Sequence, residues 1–224
     1  MGIPTRSAVR ETYERIAPSF AIARRNAWPE VLAFVDTLPP RSRVLDLGCG
    51  SGRHVRALVS RGHAVAGLDF SPSLLQIGRG SVPAGLPSVD WIEADASTLP
   101  VRSGSFDAVL CIAVLHHLPT RAGRIEALRE VRRALVPRGR ALFSAWALDQ
   151  PRFRDVAESQ RDRPPESRGD VEVPWTMPDG THIPRFYHLF QEAEMEGLII
   201  ESGLHGETFF RSGGNWFGRA ANHG

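Results

Sequence analysis

Three acidic residues, each at the end of a short apolar run, are the first candidates for chemistry in this sequence. Asp46 precedes the stretch Gly48-Cys49-Gly50-Ser51-Gly52, and Asp95 follows the third apolar run. Asp69 ends the second run, about twenty residues beyond the first acid, where a carboxylate is placed to hold the hydroxyls of a ribose. Glycine lets a backbone come close to a ligand, and an acid before the glycines fits a ligand with positive charge. The spacing therefore predicts a site for a cationic nucleoside.

A second group of candidates follows the fourth apolar run, Phe106–Ile112, and continues as Ala113-Val114-Leu115-His116-His117. Ligands of open parallel sheets lie beyond the carboxyl ends of the strands, so we expect the two histidines to face the reacting group. The alternative is that they are structural hydrogen-bonding groups. A mixture of aromatic and arginine side chains near the N-terminus offers one wall of a substrate cleft, although core packing also explains it. Its members are Tyr13, Phe20, Arg24, Arg25 and Trp28.

The elements that must position these groups alternate between strand and helix. The sequence predicts strands near 44–47, 64–68, 89–93, 106–112 and 140–146, and helices near 7–20, 29–38, 53–60, 72–77 and 121–135. Beyond a charged and proline-rich stretch it predicts a short helix near 192–196 and strands near 198–203 and 215–220. Such alternation implies right-handed crossovers. The predicted fold class is α/β: a Rossmann-like, mainly parallel seven-stranded sheet with helices on both faces.

Composition and length indicate one domain over residues 1–224. We divide it into N-terminal helices (1–40), a cofactor-binding core (41–150), a mobile insertion (151–184) and C-terminal strands (185–224). The formal charge is only +2 and all 27 basic residues are arginines, which does not identify a partner. Two cysteines suggest no disulfide framework, no Cys/His spacing indicates a metal site, and no apolar run reaches membrane length. We therefore expect a cytoplasmic protein without a membrane segment.

The glycine turn and the three acids resemble the class I S-adenosylmethionine (SAM) methyltransferases, and this resemblance covers most of the chain. It implies that the backbone around the glycines packs against the methionine part of SAM and that Asp46 lies near its ammonium group. Asp69 would take the ribose hydroxyls, and Asp95 with Ala96 would face the adenine amino group. The cofactor-binding residues implied in this way are Asp46, Gly48, Gly50, Gly52, Asp69, Phe70, Asp95, Ala96 and Ile112.

Several further segments resemble a narrower family, the tRNA wobble-uridine carboxymethyl methyltransferases, which methylate 5-carboxymethyluridine at the first anticodon position. The matching segments are Tyr13 to Phe20, Arg24, Trp28-Pro29, Ile112 to Leu118, Thr120, Arg124, Trp146 to Gln150, Val173 to Trp175 and Arg185 to Phe190. The chain departs from the family pattern at Ala23, where threonine is usual, at 25–27, and at Arg138-Gly139, where a double glycine is usual. It also lacks the lysines that meet tRNA elsewhere in the family.

The narrower resemblance implies a mechanism in which the nucleophile is the carboxylate of the uracil side arm. A carboxyl group with a pKa near 4 is already ionised at neutral pH, so no general base is needed and catalysis is positioning. Arg24 or Arg185 would hold one carboxylate oxygen, while His116 or His117 would orient the base or its side arm. The base would stack on Tyr187, Trp175 or Trp28; for Trp28 and Phe190 we favour core packing. The residues implied for catalysis are His116, His117, Arg24, Arg124, Arg185 and Tyr187.

Partners and alternatives follow from the same resemblance. Members of the family work on tRNA with a small zinc-binding methyltransferase activator protein, so both partners are expected here. Two other functions fit the cofactor acids equally well. One is a SAM methyltransferase acting on a quinone or another metabolite, and the other is a non-catalytic SAM-binding subunit. The histidine pair and the segment Arg185-Phe186-Tyr187-His188 favour tRNA.

Overall fold

A computed structural model of the protein describes residues 2–164 and 167–224. Its helices are α1 (Arg6–Ala23), α2 (Pro29–Val35), α3 (Arg53–Val59), α4 (Pro72–Arg79), α5 (Arg121–Ala134), α6 (Arg154–Ser159) and α7 (Glu192–Glu201). Its strands are β1 (Arg43–Leu47), β2 (Ala64–Asp69), β3 (Val89–Glu93), β4 (Phe106–Ile112), β5 (Leu135–Trp146), β6 (Asp170–Thr176), β7 (His182–His188), β8 (His205–Ser212) and β9 (Asn215–Ala221). Short 3-10 turns lie at Leu115–His117 and Pro151–Phe153.

The main sheet has seven strands in the order β3-β2-β1-β4-β5-β9-β8, which confirms the predicted α/β class. Strands β1 to β5 pair in parallel, whereas β9 runs antiparallel to both of its neighbours. The strand order reverses between β1 and β4. Such a reversal opens a crevice at the carboxyl ends of the strands, where ligands of this architecture bind. The glycine turn after β1 and the histidine pair after β4 therefore face each other across the crevice.

Apolar helices cover both faces of this sheet. On one face α5 and α7 pack through residues such as Leu128, Val131 and Leu198. On the other face α2 and α3 contribute Phe34 and Leu58. Parallel strands buried on both sides are rich in Val, Leu and Ile, which explains why these strands gave clear apolar runs.

A third layer lies over the carboxyl edge of the sheet. Strands β6 and β7 form an antiparallel hairpin, and the side chains of Ile183 and Phe186 pack against Tyr13 and Ile16 of α1. Leu148, after β5, joins Val171 and Tyr187 in a smaller cluster. The N-terminal helix and the hairpin together enclose the crevice.

Three details of the sequence prediction need correction. The predicted strand over 198–203 is wrong, because α7 continues to Glu201 and buries Met195, Leu198 and Ile199 at helical spacing; short apolar runs do not distinguish the two structures. The strand predicted over 140–146 begins earlier, at Leu135, and is locally distorted at Arg138, which has a φ of 65°. The 151–184 segment contains α6 and β6 as well as loops; its mobility stays a prediction, and its residues 165–166 lie outside those described.

Among the described residues, none of the helices combines the length and the apolar character needed to cross a bilayer.

Candidate functional site

The crevice contains a cavity of about 900 Å³ between the glycine turn, the ends of β2 and β3, and α1. Most of the residues predicted to bind a cofactor line it. They are Gly48, Gly50, Asp69, Phe70, Asp95, Ala96 and Ile112. The predicted Asp46 and Gly52 do not line the cavity. Seven of nine predicted side chains or backbones are thus brought together by the fold, although a cofactor contact for each stays a proposal.

The glycine turn is held by the neighbouring strand. The backbone N–H groups of Gly48 and Cys49 both donate to the carbonyl of Leu68, at 2.7 and 3.0 Å. Gly48 has a φ of 69°, and a Cβ at this position would lie 2.2 Å from a methyl of Val114. Only glycine therefore lets the segment after β4 pack this closely over the turn. Gly52 is the N-cap of α3, and a Cβ at this position would lie 2.6 Å from the ring of Trp91, so its role is steric packing.

Two of the predicted acids combine local structural bonds with a position on the cavity wall. Asp69 accepts from the backbone N–H of Gly50 at 2.8 Å and of Ser71 at 2.9 Å, one bond on each oxygen. Each carboxylate oxygen has two lone pairs, so one on each oxygen is left for a ligand. Burial raises the pKa of Asp69 to about 6 in spite of these bonds. Asp95 accepts from the backbone and hydroxyl of Ser97 at its Oδ1.

Asp46 is the most perturbed acid of the site. Its side chain is buried and its Oδ2 has no hydrogen-bond partner. Burial raises the pKa of Asp46 to about 7. The nearby Arg53 guanidinium lowers this pKa, whereas repulsion from Asp69 raises it further. A buried acceptor without a donor costs free energy, so a positive charge bound nearby would stabilise the ionised form of this carboxyl group.

A second cavity, of about 700 Å³, lies beside the first. The two share a wall made by Phe20, Arg24, Arg53, Ala113 and His117. Ala113 is held with a φ of 62°, a strained conformation for a residue with a Cβ, by a bond from its N–H to Ser144 O. The two cavities are thus adjacent, and the turn that follows β4 separates them.

The two predicted histidines have different hydrogen-bonding states. The Nδ1 of His116 accepts from the backbone N–H of Trp146 at 3.1 Å, so neutral His116 carries its proton on Nε2. The Nδ1–H of His117 points to Phe186 O at 3.4 Å, and its Nε2 accepts from the Tyr13 hydroxyl at 2.8 Å. Burial lowers the pKa of His116 well below its usual range and that of His117 to about 3. Both rings are neutral, and only His116 keeps a donor without a partner in the described residues.

Tyr187 lies at the centre of an aromatic cluster in the second cavity. Its ring stacks on His116 with centroids 4.8 Å apart and packs against Trp146 at 4.4 Å. The Arg185 guanidinium donates to the Tyr187 hydroxyl at 2.8 Å and lies 4.9 Å from the ring centroid of Trp175. Arg185 lines neither of the two cavities described above. It supports Tyr187 instead of facing the cavities.

Three arginines line the second cavity: Arg24, Arg53 and Arg152. Within the described part of the chain none of them makes a hydrogen bond or an ion pair, and no acidic side chain lines the cavity. Arg53 lies over the ring of Trp28 at 4.5 Å and Arg152 over that of Trp146 at 4.3 Å. Burial lowers the pKa of Arg53 to about 10, which still leaves it charged at neutral pH. The cavity is therefore suited to an anion.

Arg124 lies away from both cavities, contrary to the expectation that it belongs to the catalytic group. Its fully buried guanidinium donates to Leu118 O at 3.1 Å and lies 3.7 Å from Glu194. Glu194 also contacts His188, whose other ring nitrogen is 2.7 Å from Asp170. This cluster joins α5, α7 and the β6–β7 hairpin, so its geometry is that of a structural clamp.

Sequence reasoning missed part of the second cavity. Arg53 follows the last glycine of the turn directly, and Arg152 and Asn215 come from segments without a recognised motif. Trp28, for which we favoured core packing, lines the cavity while it also packs on Phe217. The position of Arg53 immediately after the glycines was the one available signal. Within the described residues there is no group of three or more His, Cys, Asp or Glu side chains that could hold a metal ion.

Comparisons with known proteins agree with this geometry. Residues 45–143 match the family model described as "Methyltransferase domain". A "tRNA (carboxymethyluridine(34)-5-O)-methyltransferase" of Schizosaccharomyces pombe is 31% identical over 87% of this chain and 87% of its own length. A Xenopus tropicalis protein of the same description, alkbh8, is 29% identical over 94% of this chain. The chain spans only 40% of that relative's length.

Solved structures share the fold at low identity. A complex described as "DhpI-SAM-HEP" superposes with a TM-score of 0.74 and 24% identity, covering 97% of this chain and 99% of the other. A "putative methyltransferase" in complex with the Haloferax volcanii Trm112 methyltransferase activator superposes with a TM-score of 0.70 and 18% identity. That alignment covers 96% of this chain and 97% of the other.

Proposed function

The chain belongs to the tRNA (carboxymethyluridine(34)-5-O)-methyltransferase family, and from that premise we propose that it esterifies the carboxylate of 5-carboxymethyluridine at the wobble position of tRNA. One observation supports this choice above the others. A nucleoside-sized cavity with three acids at or beside it adjoins a second cavity whose described lining residues include three arginines and several aromatic rings but no acid. The first suits a cationic methyl donor and the second an anionic, flat acceptor.

The cofactor is SAM, which supplies a sulfonium methyl group when it is bound. The residues present fit it. Asp46 does not itself line the cavity, but the charge of its unpartnered carboxylate would attract the ammonium group of a ligand bound there. Asp69 has lone pairs left for the ribose hydroxyls, and Asp95 and Ala96 line the far end, where the adenine would lie. At Gly50 the nearest atom to a built Cβ is 4.0 Å away, so the space beside this residue is open to a ligand.

The substrate carboxylate would be held by the arginines on the shared wall. Arg24 and Arg53 line both cavities and form no ion pair among the described residues, although Arg53 lies close enough to Asp46 for electrostatic attraction. A charge-assisted bond from a guanidinium to one carboxylate oxygen leaves the other oxygen directed at the first cavity. The carboxylate is ionised at neutral pH, so the chain needs only to align it and exclude water. This alignment is the catalytic contribution that we assign to the arginines.

His116 would act as a neutral donor to the substrate. Its Nδ1 is occupied by the Trp146 N–H, which directs the proton to Nε2. A neutral imidazole can donate to a uracil or carboxylate oxygen without a change of protonation. His117 has both nitrogens engaged, so its contribution is to hold Tyr13 and the hairpin in place. Tyr187 is packed between His116 and Trp146, and this aromatic cluster would form the wall beside which an unstacked base lies.

Two features of the setting are also proposals. We expect tRNA as the substrate and a small zinc-binding activator as a partner, both from the family resemblance; a methyltransferase of the same fold was solved with an activator. Cys49 and Cys111 are both free and buried, which agrees with a reducing compartment, so the cytoplasm stays our prediction.

The test is methyl transfer from tritiated SAM to total tRNA from a strain that lacks this gene, followed by nucleoside analysis. We expect label in 5-methoxycarbonylmethyluridine, with and without added activator compared in parallel. Label confined to small molecules would favour the metabolite methyltransferase, and binding without transfer would favour the non-catalytic subunit. An Asp69→Ala preparation gives the background of the assay.

A further inference from the structure

One amide at the far end of the second cavity has an unsatisfied acceptor. Asn215 lines this cavity, is 7% exposed, and has an Oδ1 without a hydrogen-bond partner. The amide orientation is defined, because Nδ2 donates to the carbonyl of Gly213 at 3.3 Å. Buried side-chain acceptors are nearly always satisfied in folded proteins. A ligand with an N–H group is therefore a natural partner for Oδ1.

The sheet topology explains how a residue of the C-terminal strand β9 comes to lie at the carboxyl edge of the parallel strands, where the cavities are. Asn215 begins β9 and pairs with Trp146, the last residue of β5. Because β9 runs antiparallel to β5, its first residue lies where the parallel strands end. A two-glycine turn, Gly213-Gly214, precedes it and also lines the cavity. A Cβ at Gly214 would lie 2.8 Å from the side chain of Gln150, which also lines the cavity, so glycine is needed at this position of the turn.

The neighbours of Asn215 favour a planar ring as the occupant. The rings of Trp146, Tyr187 and His116 line the same cavity and pack against one another. On the Watson–Crick edge of uracil, N3–H is a donor flanked by two carbonyl acceptors. An asparagine amide pairs with such an edge through Oδ1 and through the second hydrogen of Nδ2. Cytosine carries an acceptor at N3 instead, which would face Oδ1 and be repelled.

We propose that Asn215 reads the uracil edge of the target nucleoside, accepting its N3–H and discriminating uridine from cytidine. This inference rests on the proposed function, since it assumes a modified uridine in the second cavity. It adds a specificity-determining residue that contacts the base, separate from the arginines that hold the carboxylate.

The experiment compares kcat/KM on synthetic anticodon stem-loops that carry either 5-carboxymethyluridine or 5-carboxymethylcytidine at the target position. The wild type should prefer the uridine substrate by about 10- to 100-fold, the range of one good bidentate base contact. Asn215→Ala should lose that factor on the uridine substrate and change little on the cytidine substrate. The matched control is Asn222→Ala, because Asn222 is similarly buried but its amide bonds Leu135 O and Gly224 N. Its substrate ratio should equal that of the wild type.

A second measurement needs no variant. The wild type should act about 100-fold less well on a stem-loop with N3-methyl-5-carboxymethyluridine, which has no donor for Oδ1. An unchanged uridine-to-cytidine ratio in Asn215→Ala, or full activity on the N3-methyl substrate, would overturn the inference while the proposed function stands. A wild type inactive on every carboxymethylated stem-loop would overturn the proposed function and this inference with it. Equal losses on both substrates in Asn215→Ala would assign the amide a purely structural role.

Discussion

The raised pKa of Asp46 predicts that the methionine end of the cofactor binds more weakly as the pH falls below 7. A carboxyl group with a pKa of about 7 is about one tenth ionised at pH 6 and about nine tenths ionised at pH 8. If the ammonium group of the ligand binds only the ionised form, the ionisation of Asp46 alone should raise the affinity about tenfold between these two values. That ratio corresponds to about 1.4 kcal/mol.

The assay is isothermal titration calorimetry with S-adenosylhomocysteine, which carries the same ammonium group. The matched control ligand is 5′-methylthioadenosine, which has the nucleoside but no amino-acid group. Its affinity should change by only about twofold, because Asp69, with a pKa of about 6, is half ionised at pH 6. Proton release with the first ligand, measured in two buffers of different ionisation enthalpy at pH 7, should exceed that with the second.

The variant Asp46→Asn separates this effect from others. It should bind S-adenosylhomocysteine at pH 8 more weakly than the wild type does at pH 6, where about one tenth of Asp46 is still ionised. Its affinity should also lack the tenfold rise. The ligand-free variant should also be more stable than the wild type at pH 8. A folded pKa above the unfolded value means that stability falls as the pH rises from 3.8 to about 7. Over this pH range the wild type loses about 4 kcal/mol of free energy of unfolding through Asp46.

The reasoning would be refuted by one result above all. If the affinity of S-adenosylhomocysteine were equal at pH 6 and pH 8 in a folded wild type, the ammonium group would not meet Asp46. An equal pH dependence for 5′-methylthioadenosine would instead assign the effect to the nucleoside end of the cavity.

Three further predictions concern single side chains. His116→Ala should keep its affinity for S-adenosylhomocysteine but lower kcat about 100-fold, the cost of one preorganised donor. The control is His63→Ala, because His63 is a buried histidine outside the cleft, and this variant should keep the wild-type kcat. An unchanged kcat in His116→Ala would remove the donor role. Asp69→Ala should weaken S-adenosylhomocysteine by at least about tenfold, because ribose hydroxyls lose a charged acceptor, and calorimetry at pH 8 that gives the wild-type affinity would contradict the assignment. Burial lowers the pKa of His188, but its bonds to Asp170 and Glu194 have the larger combined effect, so the pKa is raised above 6.5. The cluster of His188 with these two acids is therefore fully stabilising below pH 6.5. Its contribution to the free energy of unfolding falls as the pH rises through the raised pKa. Chemical denaturation from pH 6 to 9 should show this loss in the wild type, and His188→Gln should lack it; parallel curves would argue against a charged His188.

The local part of the site could be predicted from sequence. The glycine turn, Asp69 and Asp95 each stand at the end of an apolar run, and the parallel arrangement places all strand ends at one edge. The same reasoning located His116 and His117 after β4. It failed for the strand over 198–203, where three consecutive apolar residues fit a helix and a strand equally well.

The second cavity depends on contacts that no local pattern encodes. Arg124 was expected at the substrate but is buried with Glu194, because the face of α5 that carries Arg124 packs against α7 and the hairpin. Arg53 and Arg152 become neighbours only when the start of α3 and the segment after β5 are folded against each other. The difference between His116 and His117 arises from Trp146 N–H and Phe186 O, which lie far away in sequence.

By itself, the sequence determined the mainly parallel sheet and the edge at which the acids at the strand ends meet, because apolar runs that alternate with helices imply parallel strands joined by right-handed crossovers. Only the tertiary structure decided which side chains face the acceptor, because β9 enters the sheet antiparallel and the hairpin closes over α1. Those long-range packings deliver Asn215 and Tyr187 to the second cavity.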